Sequence, residues 1–102
     1  MNSHGKGSDR SAALYNALLT LKTPEECYAF FEDLCTVSEQ MAMEQRFEVA
    51  LLLDEGCIYS DVLEKTGVSS ATVSRVKRCL NYGAGGYRNV LDRYKESKEK
   101  EL

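Results

Sequence analysis

The sequence predicts an all-α protein of about six helices, two of which form a helix-turn-helix. Three observations predict this class. The chain of 102 residues has one proline and no tryptophan, and its apolar residues recur at helical spacing. Capping residues precede several of these periodic segments. A glycine, Gly67, separates two short helical segments, as in a pair of helices joined at an angle.

The first two helices are predicted from spacing and from a start signal. Apolar residues recur with a helical period over residues 9–21. The sequence Thr23-Pro24-Glu25-Glu26 is a helix start, because threonine can cap, proline suits the first position, and Glu26 completes a capping box. One face of the second helix is predicted to carry Cys27, Phe30, Phe31 and Leu34.

A third helix is predicted to run to about Asp54, with Gly56 as its stop. A second capping box opens it, in which Thr36 or Ser38 can serve as the cap. Residues 49–53 are apolar nearly all round, so this part of the helix must be covered on several sides. A chain of this length has few other residues that could cover this segment, which favours an intertwined homodimer.

The segment YSDVLEKTGVSSATVSRVKR, residues 59–78, predicts the helix-turn-helix itself. Its helices are expected at about 60–66 and 70–81, and Gly67 tolerates the positive φ that the turn needs. The residues expected to lock the pair together are Val62, Thr66, Val68, Val73 and Val76. The outer face of the second helix has short polar groups first and cations afterwards, as in a helix that enters a DNA major groove. A plain αα-hairpin in a core does not need that order.

Double-stranded DNA is therefore the predicted partner. Small residues let the helix backbone approach base edges, Ser69 or Ser70 can cap the helix, and the cations can reach phosphates or a guanine edge. The predicted DNA-binding residues are Ser69, Ser70, Ala71, Thr72, Ser74, Arg75, Lys77 and Arg78. Lys65, Tyr87 and Arg88 are expected to add contacts to the DNA backbone at the rim.

The remaining residues complete a single predicted domain over residues 9–98, with the helix-turn-helix at 59–81. A glycine-rich turn leads into a last helix at about 87–98, with Val90, Leu91 and Tyr94 on one face. Residues 1–8 are predicted to be a disordered tail, and residues 99–102 a frayed C-terminus.

The net charge of −3 hides two segments of opposite sign. Residues 23–55 hold nine acidic residues and one basic residue, whereas residues 65–95 hold seven basic residues and one acid. The sign of the local charge decides which ions a surface attracts, so the basic residues of the second segment favour binding to phosphate. The acidic segment leaves an alternative open, a non-catalytic helical adaptor that binds proteins through this surface.

Other classes of function have little support. The four cysteines form no CxxC pair and lack histidine partners, so no metal site is predicted. Reduced thiols fit a cytoplasmic protein, and a redox sensor stays open. No apolar run approaches the roughly 18 residues of a membrane span. An enzyme is not predicted, because no Cys–His pair or compact acid–base dyad occurs at a recognisable spacing.

Residues 35–94 resemble the Trp-repressor-like family, in particular its small bacterial branch. The most specific similarity is SSATVSRVKRCL followed by NYGAGGY. The resemblance implies an all-helical, intertwined homodimer that carries two helix-turn-helix motifs on one side. The predicted function is that of a sequence-specific transcriptional regulator, a repressor, which binds a two-fold symmetric operator as a dimer.

The same resemblance implies candidate ligand-binding residues. In the tryptophan-responsive repressor two arginines sandwich the indole ring; Arg46 and Arg75 match them, and Thr36 matches a third pocket position. Cys79 stands in place of a serine that holds the ligand's polar end, and Val76 in place of a glycine that leaves room for the ligand. These departures argue against tryptophan. They leave open a different small-molecule corepressor, no effector at all, or an ion pair between Arg46 and a neighbouring acid.

Overall fold

The computed structural model describes residues 11–101. Six helices occupy this part of the chain: α1 Ala12–Leu18, α2 Pro24–Leu34, α3 Val37–Asp54, α4 Tyr59–Thr66, α5 Ser70–Tyr82 and α6 Gly86–Lys100. The described residues contain no strand, and the predicted all-α class is confirmed. The predicted tail at 1–8 lies outside the described residues. No helix among those described has the length and apolar character to cross a membrane.

The described residues form two compact units, 11–37 and 38–101. The first holds α1 and α2. Thr23 caps α2 by accepting a hydrogen bond from the Glu26 N–H at 3.1 Å, and Pro24 is the first helical residue. The Glu26 carboxylate accepts from the Lys22 N–H at 2.8 Å, one residue before the position that a standard capping box uses. The predicted start of α2 is therefore confirmed, with this shift in its second bond.

The second unit has one apolar core, to which four helices contribute. Its fully buried residues are Val49 and Ala50 of α3, Val62 of α4, Val73 and Val76 of α5, and Leu91 of α6. Leu51, Leu52 and Leu53 are half-buried against this core. The apolar segment of α3 is thus covered in large part by α4, α5 and α6 of the same chain.

The end of α3 is set by Gly56, as the sequence predicts. Its φ of 93° lies in the left-handed region, which glycine adopts without a steric penalty. The Gly56 N–H donates to the Leu53 carbonyl at 3.1 Å, and the Cys57 N–H donates to the Leu52 carbonyl at 3.0 Å. These two bonds form a Schellman motif, which ends α3 and starts the connection to α4.

The last helix differs from its prediction at both ends. It begins at Gly86, after Gly85 with φ 87°, and it continues to Lys100. Residues 99 and 100 are therefore helical in this structure. Lys98 and Lys100 lie in the last turn, where positive charge stabilises the negative end of a helix.

The core-facing side of α6 also differs from the prediction. Leu91 is fully buried and Tyr87 is half-buried, whereas Val90 is 53% exposed and Tyr94 is 39% exposed. The i, i+4 spacing of Tyr87 and Leu91 defines the buried side. A small rotation of the helix relative to the predicted face accounts for the difference.

Candidate nucleic-acid interface

The turn of the helix-turn-helix is fixed by three local hydrogen bonds. Gly67 has φ 71° and ψ 9°, and its N–H donates to the Leu63 carbonyl at 2.9 Å. The Thr66 hydroxyl donates to the Val62 carbonyl at 2.8 Å and accepts from the Val68 N–H at 3.3 Å. These bonds pair the Gly67 and Val68 N–H groups and the Thr66 hydroxyl, and the turn directs the chain into α5.

The first turn of α5 is capped by Ser69. Its hydroxyl accepts from the Thr72 N–H at 3.2 Å and lies 3.1 Å from the Thr72 hydroxyl. The sequence left Ser69 and Ser70 open as the cap, and the structure assigns Ser69. Because Ser69 and Thr72 pair with each other, both hydroxyls already serve the helix start.

The outer face of α5 is largely exposed within the described part of the chain. Of the predicted DNA contacts, the exposed ones are Ser69, Ser70, Ala71, Ser74, Arg75, Lys77 and Arg78, and Thr72 is half-buried. Val73 and Val76 point the opposite way and are at most 1% exposed. Within residues 11–101 no carboxylate lies in salt-bridge range of Arg75, Lys77 or Arg78. Their charges are available to an anionic partner.

Arg88, predicted to contact the DNA backbone, is bound by acidic side chains of the same chain. Its guanidinium forms two parallel bonds with the Asp54 carboxylate, at 2.9 and 3.0 Å, and it also binds Asp92 at 2.9 Å. Lys95 forms a further ion pair with Asp54. Hydrogen bonds from Arg88 and Lys95 lower the pKa of Asp54 to about 2. This Asp54 cluster, formed by Asp54, Arg88, Asp92 and Lys95, joins the end of α3 to α6.

An open groove of about 450 Å³ lies where α5 turns into α6. Its lining residues are Phe47, Cys79, Gly83, Ala84, Gly86, Tyr87 and Val90. Burial raises the pKa of the Tyr87 phenol, and nearby Cys79 adds to this, whereas the charges of Arg46 and Arg75 oppose it. Of the four predicted ligand residues, Cys79 lines this groove, whereas Thr36, Arg46 and Arg75 are not among its lining residues.

The predicted ligand residues are distributed over both compact units. Thr36 belongs to the first compact unit, whereas Arg46, Arg75 and Cys79 belong to the second. Val76 is part of the core and does not line the groove. Phe47 and Tyr87 were not predicted as lining residues; the i, i+4 spacing from Tyr87 to Leu91 is the signal that could have placed Tyr87 at this packed surface.

An all-α chain with a helix-turn-helix and an exposed basic face on its second helix is typical of DNA-binding regulators. The family described as Trp repressor protein matches residues 10–95. The chain therefore belongs to the Trp repressor family. Regulators of this family bind DNA and are not enzymes.

Three relatives show how far this similarity extends. The uncharacterized protein YerC of Bacillus subtilis is 55% identical over 84 residues, which is 82% of this chain and 81% of YerC. A Staphylococcus aureus crystal structure of a candidate Trp repressor has a TM-score of 0.79 at 46% identity, over 84% of this chain and 89% of its own. A TrpR-like protein from Eubacterium eligens has a TM-score of 0.77 at 52% identity, over 81% of this chain and 86% of its own.

Proposed function

We propose that this protein is a sequence-specific transcriptional regulator, acting as a repressor, that binds a two-fold symmetric DNA operator as a homodimer. The observation that carries the proposal is the outer face of α5. Small polar side chains at its start are exposed, as are three cations after them that have no ion pair within residues 11–101, while Val73 and Val76 anchor the opposite side in the core. Small groups allow close approach to base edges, and cations hold the flanking phosphates.

Exposed apolar side chains support the homodimer. Large apolar residues that are about half or more exposed include Leu19 at 84%, Leu34 at 49%, Val37 at 70%, Met41 at 52% and Val90 at 53%. Several large apolar side chains left exposed on each compact unit favour a protein–protein contact. A second copy of the chain is the simplest partner to cover it, since most soluble oligomers are symmetric homo-oligomers.

In such a dimer the two copies of α5 enter successive major grooves about 34 Å apart, the spacing general to helix-turn-helix dimers, the Trp repressor among them. Ser70, Ala71 and Ser74 face base edges, directly or through water. Arg75, Lys77 and Arg78 hold phosphates.

A small-molecule corepressor other than tryptophan belongs to the proposal as its second part. The support is the groove beside Tyr87, which is lined by Cys79 and lies in the same compact unit as Arg46 and Arg75. A ligand there acts by favouring one arrangement of α5 over another. We expect millimolar tryptophan to leave the tyrosine emission and the melting temperature unchanged; a clear rise in melting temperature contradicts this part.

Selection of bound duplexes from a random pool tests the proposal as a whole. The full chain is incubated with the pool at about 50 mM salt, where phosphate contacts are strong, and retained duplexes are sequenced over several rounds. We expect an inverted repeat to be enriched, with affinity that falls as salt rises. Absence of any DNA binding at this salt concentration contradicts the proposal and favours the acidic adaptor.

A further inference from the structure

A side-chain hydrogen bond joins α4 to α5 independently of the turn and the core. The Tyr59 hydroxyl donates to the main-chain carbonyl of Ser70 at 3.2 Å. Tyr59 is the first residue of α4, and Ser70 is the first residue of α5. The bond therefore links the starts of the two helices.

The other contacts between these helices restrain them in a different way. Val62 and Val73 are fully buried in the shared core, and these apolar contacts hold the helices together through close packing. The Gly67 turn fixes the end of α4. A hydrogen bond is directional and weakens steeply when its angle changes. The bond from Tyr59 therefore adds a directional restraint on the first turn of α5 to the restraint that the buried valines of this helix provide.

That first turn carries the small exposed residues proposed to face the base edges, Ser70 and Ala71. The Ser70 carbonyl moves with these side chains because it belongs to the same turn. We infer that Tyr59 is a positioning residue, which orients the start of α5 through Ser70 and thereby sets how well the protein distinguishes one DNA sequence from another. This inference rests on the proposed function.

The Tyr59 hydroxyl is expected to affect the discrimination between DNA sequences and not the overall affinity for DNA. Within residues 11–101 no hydrogen bond or ion pair joins Tyr59 to Arg75, Lys77 or Arg78, so we expect binding through phosphates to be independent of its hydroxyl. The Ser70 carbonyl is exposed, and water can replace the lost donor at little cost in stability. Removal of the hydroxyl therefore reduces the preference for the correct sequence and leaves the other properties unchanged.

The substitution Tyr59→Phe tests this, with Tyr82→Phe as the matched control. Tyr82 is 83% exposed at the far end of α5, so Y82F also removes one phenolic hydroxyl from the helix-turn-helix. The measurement is the affinity for the selected duplex divided by the affinity for an unrelated duplex, at several salt concentrations. We expect Y59F to lower this ratio about three- to ten-fold. Its salt slope, its affinity for the unrelated duplex and its melting temperature stay equal to those of Y82F.

Three results overturn the inference. A ratio equal to that of the wild type removes the positioning role. An equal loss on both duplexes with a smaller salt slope makes Tyr59 a direct phosphate contact. An equal loss on both duplexes with a lower melting temperature gives Tyr59 a role in stability alone. A wild-type chain without any preference for the selected duplex overturns the proposed function itself, so the two failures are distinguishable.

Discussion

Two arginines of the basic segment, which the sequence alone does not distinguish, differ in whether an acidic side chain binds them. Arg78 is exposed on α5 and has no carboxylate in range within residues 11–101. Arg88 is bound by Asp54 and Asp92. Asp54 lies 34 positions earlier in the chain, and no local pattern reveals a pair at that separation. The sequence could therefore predict a basic surface but not which of its cations are available to DNA.

At Arg78 we expect the substitution Arg78→Ala to weaken DNA binding by a similar factor for all sequences. The reason is that a phosphate contact carries no base information, and its loss lowers the salt slope by about one. The measurement is the affinity for the selected and for an unrelated duplex as a function of salt.

Arg93→Ala is the control, because it removes the same charge from an exposed position on α6. A loss for R78A confined to one base position would instead make Arg78 a base contact, costing about 1–3 kcal/mol at that position. Binding equal to that of R93A would remove Arg78 from the interface.

At Asp54 we expect a pH-dependent contribution to stability. The pKa of this carboxyl falls from 3.8 to about 2 on folding, because Arg88 and Lys95 bind its charged form. The stabilisation is therefore complete above about pH 4 and is lost as the pH falls toward 2. Asp54→Asn should lower the free energy of unfolding at pH 7 by about 1 kcal/mol, since solvent screens the half-exposed partners.

Chemical denaturation at pH 7 and at low pH checks this, with Glu96→Gln as the control. Glu96 is an exposed carboxylate on α6 with no ion pair within the described residues. We expect the difference between the wild type and D54N to shrink as the pH is lowered through 4 to 2. A difference that is constant with pH would show that the Asp54 cluster does not stabilise the fold through charge.

At the scale of helices and turns, the starts and stops were the most predictable features. Thr23 and Pro24 open α2, and Gly56 and Gly67 end α3 and α4, because capping and positive φ are local requirements. The face of α6 was less predictable, since Val90 is as apolar as Leu91 and packing alone decides which is buried. The Tyr59–Ser70 bond was not predictable, because it depends on the angle between two helices.

The turn at Gly67 gives a prediction at this scale. Its φ of 71° is rare for other residues, and an added Cβ would meet no atom within 4 Å. The cost of Gly67→Ala is therefore backbone strain alone, about 1–2 kcal/mol. Gly86→Ala is the control, because its site is equally open and its φ lies outside the left-handed region. Urea unfolding should show a loss of stability for G67A and none for G86A. Equal free energies of unfolding for these two variants would show that alanine does not strain the turn.

At the scale of the whole molecule, the acidic total charge and the basic outer face of α5 are compatible. Residues 23–55 contribute most of the acids, and the Asp54 cluster neutralises one of them next to the basic segment. Arg75, Lys77 and Arg78 are left unpaired within the described chain. A net charge of −3 therefore does not argue against DNA binding, because the local potential determines which surface meets phosphate.

The central claim is that one dimer places two copies of α5 on one operator, and the spacing of the half-sites tests it most directly. Insertion of about 5 base pairs between the halves of the selected inverted repeat turns the second half-site to the other side of the duplex. We expect affinity to fall by about two orders of magnitude or more, toward that of a single half-site, because simultaneous engagement is lost. Affinity that is unchanged by the insertion would contradict the claim.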